Sequence, residues 1–178
     1  MSGQQSDEHI RKATQADFET IQRNFDRARK LMAQNGNPTQ WGTIWPPAEL
    51  VQQDIDGGNA MLLVDNAGEN GSERVLAQFA MFTGLEPTYA EIEGKWLDDD
   101  DYATMHRLAS SGLKRHSAKT CLDWAVKTYG NVRCDTHPDN LAMQHVFEGD
   151  GFQRCGLIHV MNITDKPDVR IGYQRHER

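Results

Sequence analysis

The sequence predicts an α/β fold in a single domain, a mixed sheet of about seven strands flanked by about four helices. Three observations carry that expectation. Short strand-like runs and helix-periodic segments follow one another in the order β, α, α, β, β, β, α, β, α, β, β. Lys114 to Tyr129 places Ala118, Cys121, Leu122, Ala125, Val126 and Tyr129 on one apolar helical face. The stretch from Asp135 to Ile158 reads as a strand end, a short helix opened by Pro138-Asp139-Asn140, a Gly151-Phe152 turn and a second strand.

His9 to Ala13 alternates weakly and reads as the first strand. Thr14 offers a hydroxyl cap with Asp17 three residues on, close to a capping box. Phe18, Ile21, Phe25, Ala28 and Met32 then recur at helical spacing until Asn35-Gly36-Asn37-Pro38 stops the helix. Trp41 to Trp45 is a loop. Pro46-Pro47 opens a second helix with Leu50, Val51 and Ile55 inward, and Gly57-Gly58 ends it. Ala60 to Asp65 and Val75 to Thr83 read as strands joined by a Gly- and Asn-rich turn. Thr88 to Trp96 has helical spacing at Tyr89, Ile92 and Trp96, but Gly94 interrupts it, so it reads as loop or one helical turn. An acidic turn, Asp98 to Asp101, precedes a strand from Tyr102 to Ala109. After the Lys114 to Tyr129 helix come a strand at Asn131 to Asp135, a helix at Asn140 to Glu148 and a strand at Phe152 to Ile163. A turn at Asp165 to Asp168 and a short strand at Arg170 to Tyr173 close the series.

Bulk properties narrow the function classes. At 178 residues the chain suits one domain, 9–178, behind a short flexible leader, 1–8. That leader is polar and lacks the apolar core of a secretory signal. No run is apolar and long enough to span a membrane. A net charge of −7 argues against a general nucleic-acid binder, which needs a basic face. Cys121, Cys134 and Cys155 are odd in number and widely spaced, so neither a zinc motif nor full disulfide pairing is indicated. A reducing cytoplasm is the simplest setting for them.

Several pieces, in order and at the right separations, carry a resemblance. They are His9 to Thr14 with Asp17, Met105-His106-Arg107-Leu108-Ala109, and Asn140, Met143 and Gly151-Phe152. Together they resemble the GNAT-type N-acetyltransferases over nearly the whole chain. The resemblance implies a sheet whose fourth and fifth strands, here Tyr102 to Ala109 and Asn131 to Asp135, splay apart around the pantetheine arm of acetyl-CoA. It implies that backbone groups near Leu108 and Ala109 polarise the thioester carbonyl. It further implies that the start of the next helix, near Lys114, holds the pyrophosphate. No metal is implied. The acceptor would be a small-molecule or peptide amine, with neither nucleic acid nor membrane as partner, and a homodimer stays open.

Two departures from the family pattern stand out. The places of its phosphate loop (Gln/Arg, two residues, Gly, one residue, Gly/Ala) hold Leu113, His116 and Ala118. A histidine where the middle glycine belongs crowds the backbone's approach to phosphate. Lys114, Arg115 and Lys119 cluster there, with Ser117 between them, and are placed to pair with phosphates or to be ordinary surface charges. The tyrosine that many members carry seven residues after the asparagine is Phe147 here, which cannot donate a proton.

Candidates for the base are His106 on the presumed central strand, Asp135 and His137 at the end of the fifth strand, and Glu86 after the third. His106 reads equally as a partly buried histidine bonded to backbone, and Asp135 as a cap on the turn before Pro138. Glu91 and Glu93, in the ambiguous segment, could face the amine as Glu86 could, or be ordinary exposed glutamates. Asn140 is expected to contact the cofactor, or to serve as a plain helix cap. Trp41, Trp45 and Tyr89 are expected to face the acceptor, or else to anchor their loops to the core.

Overall fold

The computed structural model describes residues 7–177, which hold eight strands and four α-helices. In chain order they are β1 His9–Lys12, α1 Phe18–Gln34, α2 Ala48–Asp56, β2 Ala60–Asp65, β3 Arg74–Thr83, β4 Glu93–Gly94 and β5 Ala103–Ser110. There follow α3 Ser117–Tyr129, β6 Asn131–Thr136, α4 Leu141–Gly149, β7 Gln153–Met161 and β8 Pro167–His176. The expected leader, 1–8, lies outside the described residues except for Asp7 and Glu8, which precede β1 as irregular backbone.

The strands make one mixed sheet in the order β1-β2-β3-β5-β6-β8-β7-β4. Only β5 and β6 run parallel; the other neighbours are antiparallel. The count is eight strands rather than about seven, because the segment read as loop or helical turn contributes β4, pairing Glu93 with Leu157 and Gly94 with Gly156. Glycine is required on both sides of that contact. A Cβ on Gly94 would sit 2.3 Å from the Cys155 carbonyl oxygen, and one on Gly156 2.2 Å from that of Glu93. The final strand is also longer than expected, since β8 is paired on both flanks, by β6 and by β7.

Helices cover both faces. Cys121, Leu122, Ala125 and Val126 of α3 are 2% exposed or less and pack with Met105, Val132, Cys134 and Phe147 in the main core. Burying a side chain such as Leu122 stabilises the fold by roughly 1.5–3 kcal/mol. On the other face Ile21 and Phe25 of α1 and Val51 and Ile55 of α2 close over Leu62, Val64 and Ala109. The Asp17 carboxylate accepts from the Thr14 N–H at 2.8 Å and pairs with Arg11 at 2.8 Å, tying the start of the first helical segment to β1. Cys155 is half-buried. Among the described residues no helix is long and apolar enough to cross a membrane.

Candidate active site

The site begins with a failure of pairing. β5 and β6 match only at Ala103–Val132 and Thr104–Arg133, then separate. β6 meanwhile stays with β8 along its whole length, from Asn131–His176 to Thr136–Ile171. On the other side β5 stays with β3 but bulges, since Gln78 faces Ala109 while Ala80 faces His106. The extra residue bends the strand. Arg107 sits in the bulge at φ 57°, a backbone conformation that side-chain-bearing residues rarely adopt. Asp54 of α2 holds it there through a two-point pair, Arg107 Nε to Oδ2 at 2.9 Å and Nη2 to Oδ1 at 2.8 Å. Burial pushes the Asp54 carboxyl up, against the pull of Arg107.

The wedge so formed opens into a cavity of about 520 Å³. Its walls come from β5 (Met105 to Leu108), β6 (Cys134 to Thr136), the α1–α2 loop and the first turns of α4. Asn140 caps α4, its Oδ1 accepting from the Met143 N–H at 3.1 Å. Its amide nitrogen donates to Gln40 Oε1 at 3.1 Å, and Asn37 donates to the same oxygen at 2.8 Å. One asparagine thus fixes both the helix start and the loop across the cavity. Met143 and Phe147 line the same space, with Phe147 2% exposed.

Two of the four candidate catalytic residues meet there. His106 Nε2 lies 3.0 Å from Glu86 Oε2, with both side chains about one-fifth exposed. The other Glu86 oxygen accepts from Thr88 Oγ1 at 2.9 Å and from its N–H at 3.2 Å. The hydrogen bond from His106, helped by Thr88, draws the Glu86 pKa down to about 2. A carboxylate only accepts, so His106 Nε2 carries the hydrogen and Nδ1 is left as the basic atom. The rings of Phe82 and Tyr89 stand 5.9 and 6.1 Å from the imidazole and hold it in place.

The other two have structural partners. Asp135 lines the cavity, but its Oδ2 accepts from the Tyr89 hydroxyl at 2.5 Å, so it does not cap the turn before Pro138. His137 does that instead, its Nδ1 accepting from the Asp139 N–H at 3.0 Å while Nε2 lies 3.5 Å from Asp168. Its ring is not among the cavity walls.

The aromatic expectations divide. Trp45 lines the cavity and is only half-buried. Trp41 also reaches the wall, yet it is 7% exposed and meets Phe25 edge-on at 5.6 Å, so it anchors the loop. Tyr89 is corrected outright as an acceptor surface. Its ring is 2% exposed, packs on Trp96 at 5.2 Å and forms no wall of the cavity. Burial, with Asp135 beside it, holds its phenol well above the ordinary tyrosine pKa.

The expected phosphate segment lies at a second cavity of about 510 Å³, between the β5–α3 loop and α4. The helix starts at Ser117 rather than near Lys114. His116 adopts φ 64°, the left-handed conformation in which glycine is at ease, at the place matched to the family's glycine. Ser117 Oγ donates to the Lys114 carbonyl at 2.9 Å. Not all the charge is available. Lys119 is held by Asp123 at 2.7 Å and Asp150 at 2.9 Å, and Lys114 pairs with Glu8. Arg115 makes no ion pair among the described residues, and Ala118 is a wall of the cavity. Leu108 borders the wedge, whereas Ala109 is buried on the α1–α2 face and borders neither cavity.

Sequence reading missed Arg107, Gln40 and Thr136. Arg107 carries no sequence signal, because the bulge depends on β3. Thr136 was legible in principle, since strand alternation puts it on the same face as Cys134. At the other end of β6, Asp98, Asp100 and His176 bring ligand atoms within 4.8 Å of one another. Asp98 is already engaged, by His176 at 2.6 Å and by Asn131 and Gln174 at 3.2 and 3.3 Å, which makes the group a staple for that end of the sheet.

A mixed sheet parted at one parallel pair, with a cavity in the parting, is the arrangement the sequence resemblance implied. No family model matches the chain, and no curated protein matches it. Solved structures do. A GNAT-family acetyltransferase from Streptococcus agalactiae is 31% identical with a TM-score of 0.82, over 96% of each chain. The chain therefore belongs to the GNAT acetyltransferase family. More distant likenesses show the fold alone. A GNAT-family acetyltransferase from Listeria monocytogenes is 19% identical with a TM-score of 0.67, over 95% of this chain and 94% of that one. Arabidopsis thaliana NAA60, solved in complex with acetyl-CoA, is 14% identical with a TM-score of 0.62, over 95% and 98%.

Proposed function

We propose that the protein transfers an acetyl group from acetyl-CoA to a primary amine of a small molecule or peptide, by direct attack of the amine. The observation that most supports this is the wedge between β5 and β6, with the Glu86–His106 pair on its wall. The residues present fit an acyl-CoA arm. Past Thr104 and Arg133 the two strands no longer bond to each other, and Thr136 Oγ1 is buried with no hydrogen-bond partner among the described residues. Acetyl-CoA would bring an acyl carbon already activated as a thioester.

The chain's own groups supply the rest. Backbone N–H groups of the bulge at Leu108 polarise the carbonyl. Asn140 keeps the Gln40 loop and α4 in register around the cavity, excluding water. His106 Nδ1 takes the amine's proton, while Glu86 fixes the imidazole tautomer and orientation. Arg115 and the first turn of α3 hold phosphate. The reading takes residues 9–178 as the working domain and 1–8 as a leader.

One observation favours a rival. Phe147 stands where a hydroxyl would serve as acid, and it is packed between Phe152 at 5.8 Å and Tyr173 at 5.1 Å. A protein that binds acyl-CoA without turning it over fits that fact. Two measurements separate the readings. Acetyl-CoA at ~100 times its Kd should add about 2.7 kcal/mol of stability, seen as a raised Tm. Release of free thiol with at least one member of an amine panel establishes transfer. A raised Tm without thiol release supports the binder, and no shift at all rejects both.

A further inference from the structure

We propose that the Thr136 hydroxyl is the hydrogen-bond donor for the leaving sulfur, at a site where Phe147 has none to offer. The inference rests on the acetyl-CoA reading above. Thr136 is the last residue of β6, is 1% exposed and lines the wedge cavity. Its Oγ1 is shielded from solvent and has no hydrogen-bond partner among the described residues. Such a hydroxyl costs about 1–3 kcal/mol, and native folds rarely keep one without a use.

Its direction follows from the strand. Val132 and Cys134 point into the core beneath α3 and α4, and alternation carries Thr136 to the same side. Phe147 of α4 belongs to that core and borders the same cavity. The other polar groups on this side are poor donors or already engaged. The Tyr173 hydroxyl donates to Glu148 at 3.0 Å and accepts from Arg154 at 3.3 Å. The Cys134 thiol is a weak donor, and Asn140 is committed to Met143 and Gln40. Thr136 is left.

The chemistry balances without a strong acid. The amine's lone pair forms the C–N bond as the C–S bond breaks, and the electron pair of that bond stays on sulfur. The surplus amine proton passes to His106 Nδ1. Thr136 donates a hydrogen bond to the sulfur and keeps its own proton; water later protonates the departing thiolate, and the hydroxide so formed takes the proton held on His106. A hydrogen bond to a charged group is strong enough to change the rate about tenfold to a hundredfold.

The test uses CoA itself as probe, so that it does not depend on turnover. The thiol of CoA bound to the intact protein is titrated by its thiolate absorbance, in wild type, Thr136→Val and Thr136→Ser. Valine has nearly the same shape and suits a strand, so folding is preserved. The expected result is a bound thiol that ionises about one pH unit or more higher in Thr136→Val than in wild type, with Thr136→Ser close to wild type. Thiol release by Thr136→Val should fall at least tenfold in kcat with the KM for acetyl-CoA unchanged. A Thr136→Val complex that binds CoA and titrates like wild type overturns the inference and leaves the transferase reading intact. Failure of wild type to bind CoA overturns both.

Discussion

The two ends of β6 obey opposite rules. At the Asn131 end the polar side chains are densely engaged with one another, although Arg133 Nε and Thr104 Oγ1 have no hydrogen bond among the described residues. Asn131 donates to Asp98 and to the Asp101 carbonyl and accepts from Gln174 at 2.8 Å. The Arg133 guanidinium lies over the rings of Trp96 and Tyr102 at 4.3 and 3.9 Å and donates to the Asp98 carbonyl at 2.8 Å. At the Thr136 end, five residues on, the parallel neighbour has left, a hydroxyl is unpaired and the Glu86–His106 pair faces a cavity. One end is densely bonded and holds the sheet together. The other leaves bonding capacity for a ligand. Buried polar atoms without a hydrogen bond occur at both ends, Arg133 Nε at one and Thr136 Oγ1 at the other, so the working end is identified by the parting of β5 from β6 and the cavity it opens.

That contrast can be broken by mutation. The largest expected effect is at the open end: His106→Ala should lower kcat by about 10²–10⁴-fold, the range for loss of a general base, while leaving the CoA-induced Tm shift in place. An unchanged kcat would remove the pair from the chemistry. Asp98→Ala should do the reverse, costing about 1–3 kcal/mol in denaturant unfolding by leaving Asn131 and Gln174 short of an acceptor, with CoA binding untouched. Impaired CoA binding in that variant would mean the ends are coupled. Asn140→Ala belongs to both classes. It should cost about 1 kcal/mol as a lost helix cap and also weaken the CoA shift, because Gln40 loses its tether.

The smallest effect is in acid. Glu86 is depressed from 4.5 to about 2 by its hydrogen bonds from His106 and Thr88. A depressed carboxylate stabilises the fold above its unfolded value and loses that contribution as pH falls through the folded one. Wild type should therefore lose stability between about pH 4.5 and 2 more steeply than Glu86→Gln, by a modest margin because the pair is partly exposed. Equal slopes would mean that the Glu86–His106 bond carries no weight in solution.

Much of the fold was legible in the chain because it is written locally. The apolar face of α3 needed only its own periodicity, and Cys121, Leu122, Ala125 and Val126 are all buried as that spacing demands. Asn140 was legible as a cap for the same reason. What failed, failed where one residue type serves two environments. Tyr89 carries a ring and a hydroxyl suited to a ligand, yet both are spent inward, on Trp96 and Asp135. Lys119 looked free for phosphate until Asp123 and Asp150 came beside it. β4 escaped notice because a two-residue strand has no period to read.

By itself the sequence determined the helices, most strands, the order in which they occur and the small set of residues able to move a proton or cap a helix. These depend on propensity and spacing over a few residues. Only the tertiary structure decided which of those residues meet. Glu86 and His106 are 20 positions apart and come together because β3 and β5 pair, and Thr136 matters because β6 follows β8 while β5 follows β3. Backbone hydrogen bonds between distant strands chose those partners, and no local pattern in the chain encodes where a ladder will stop.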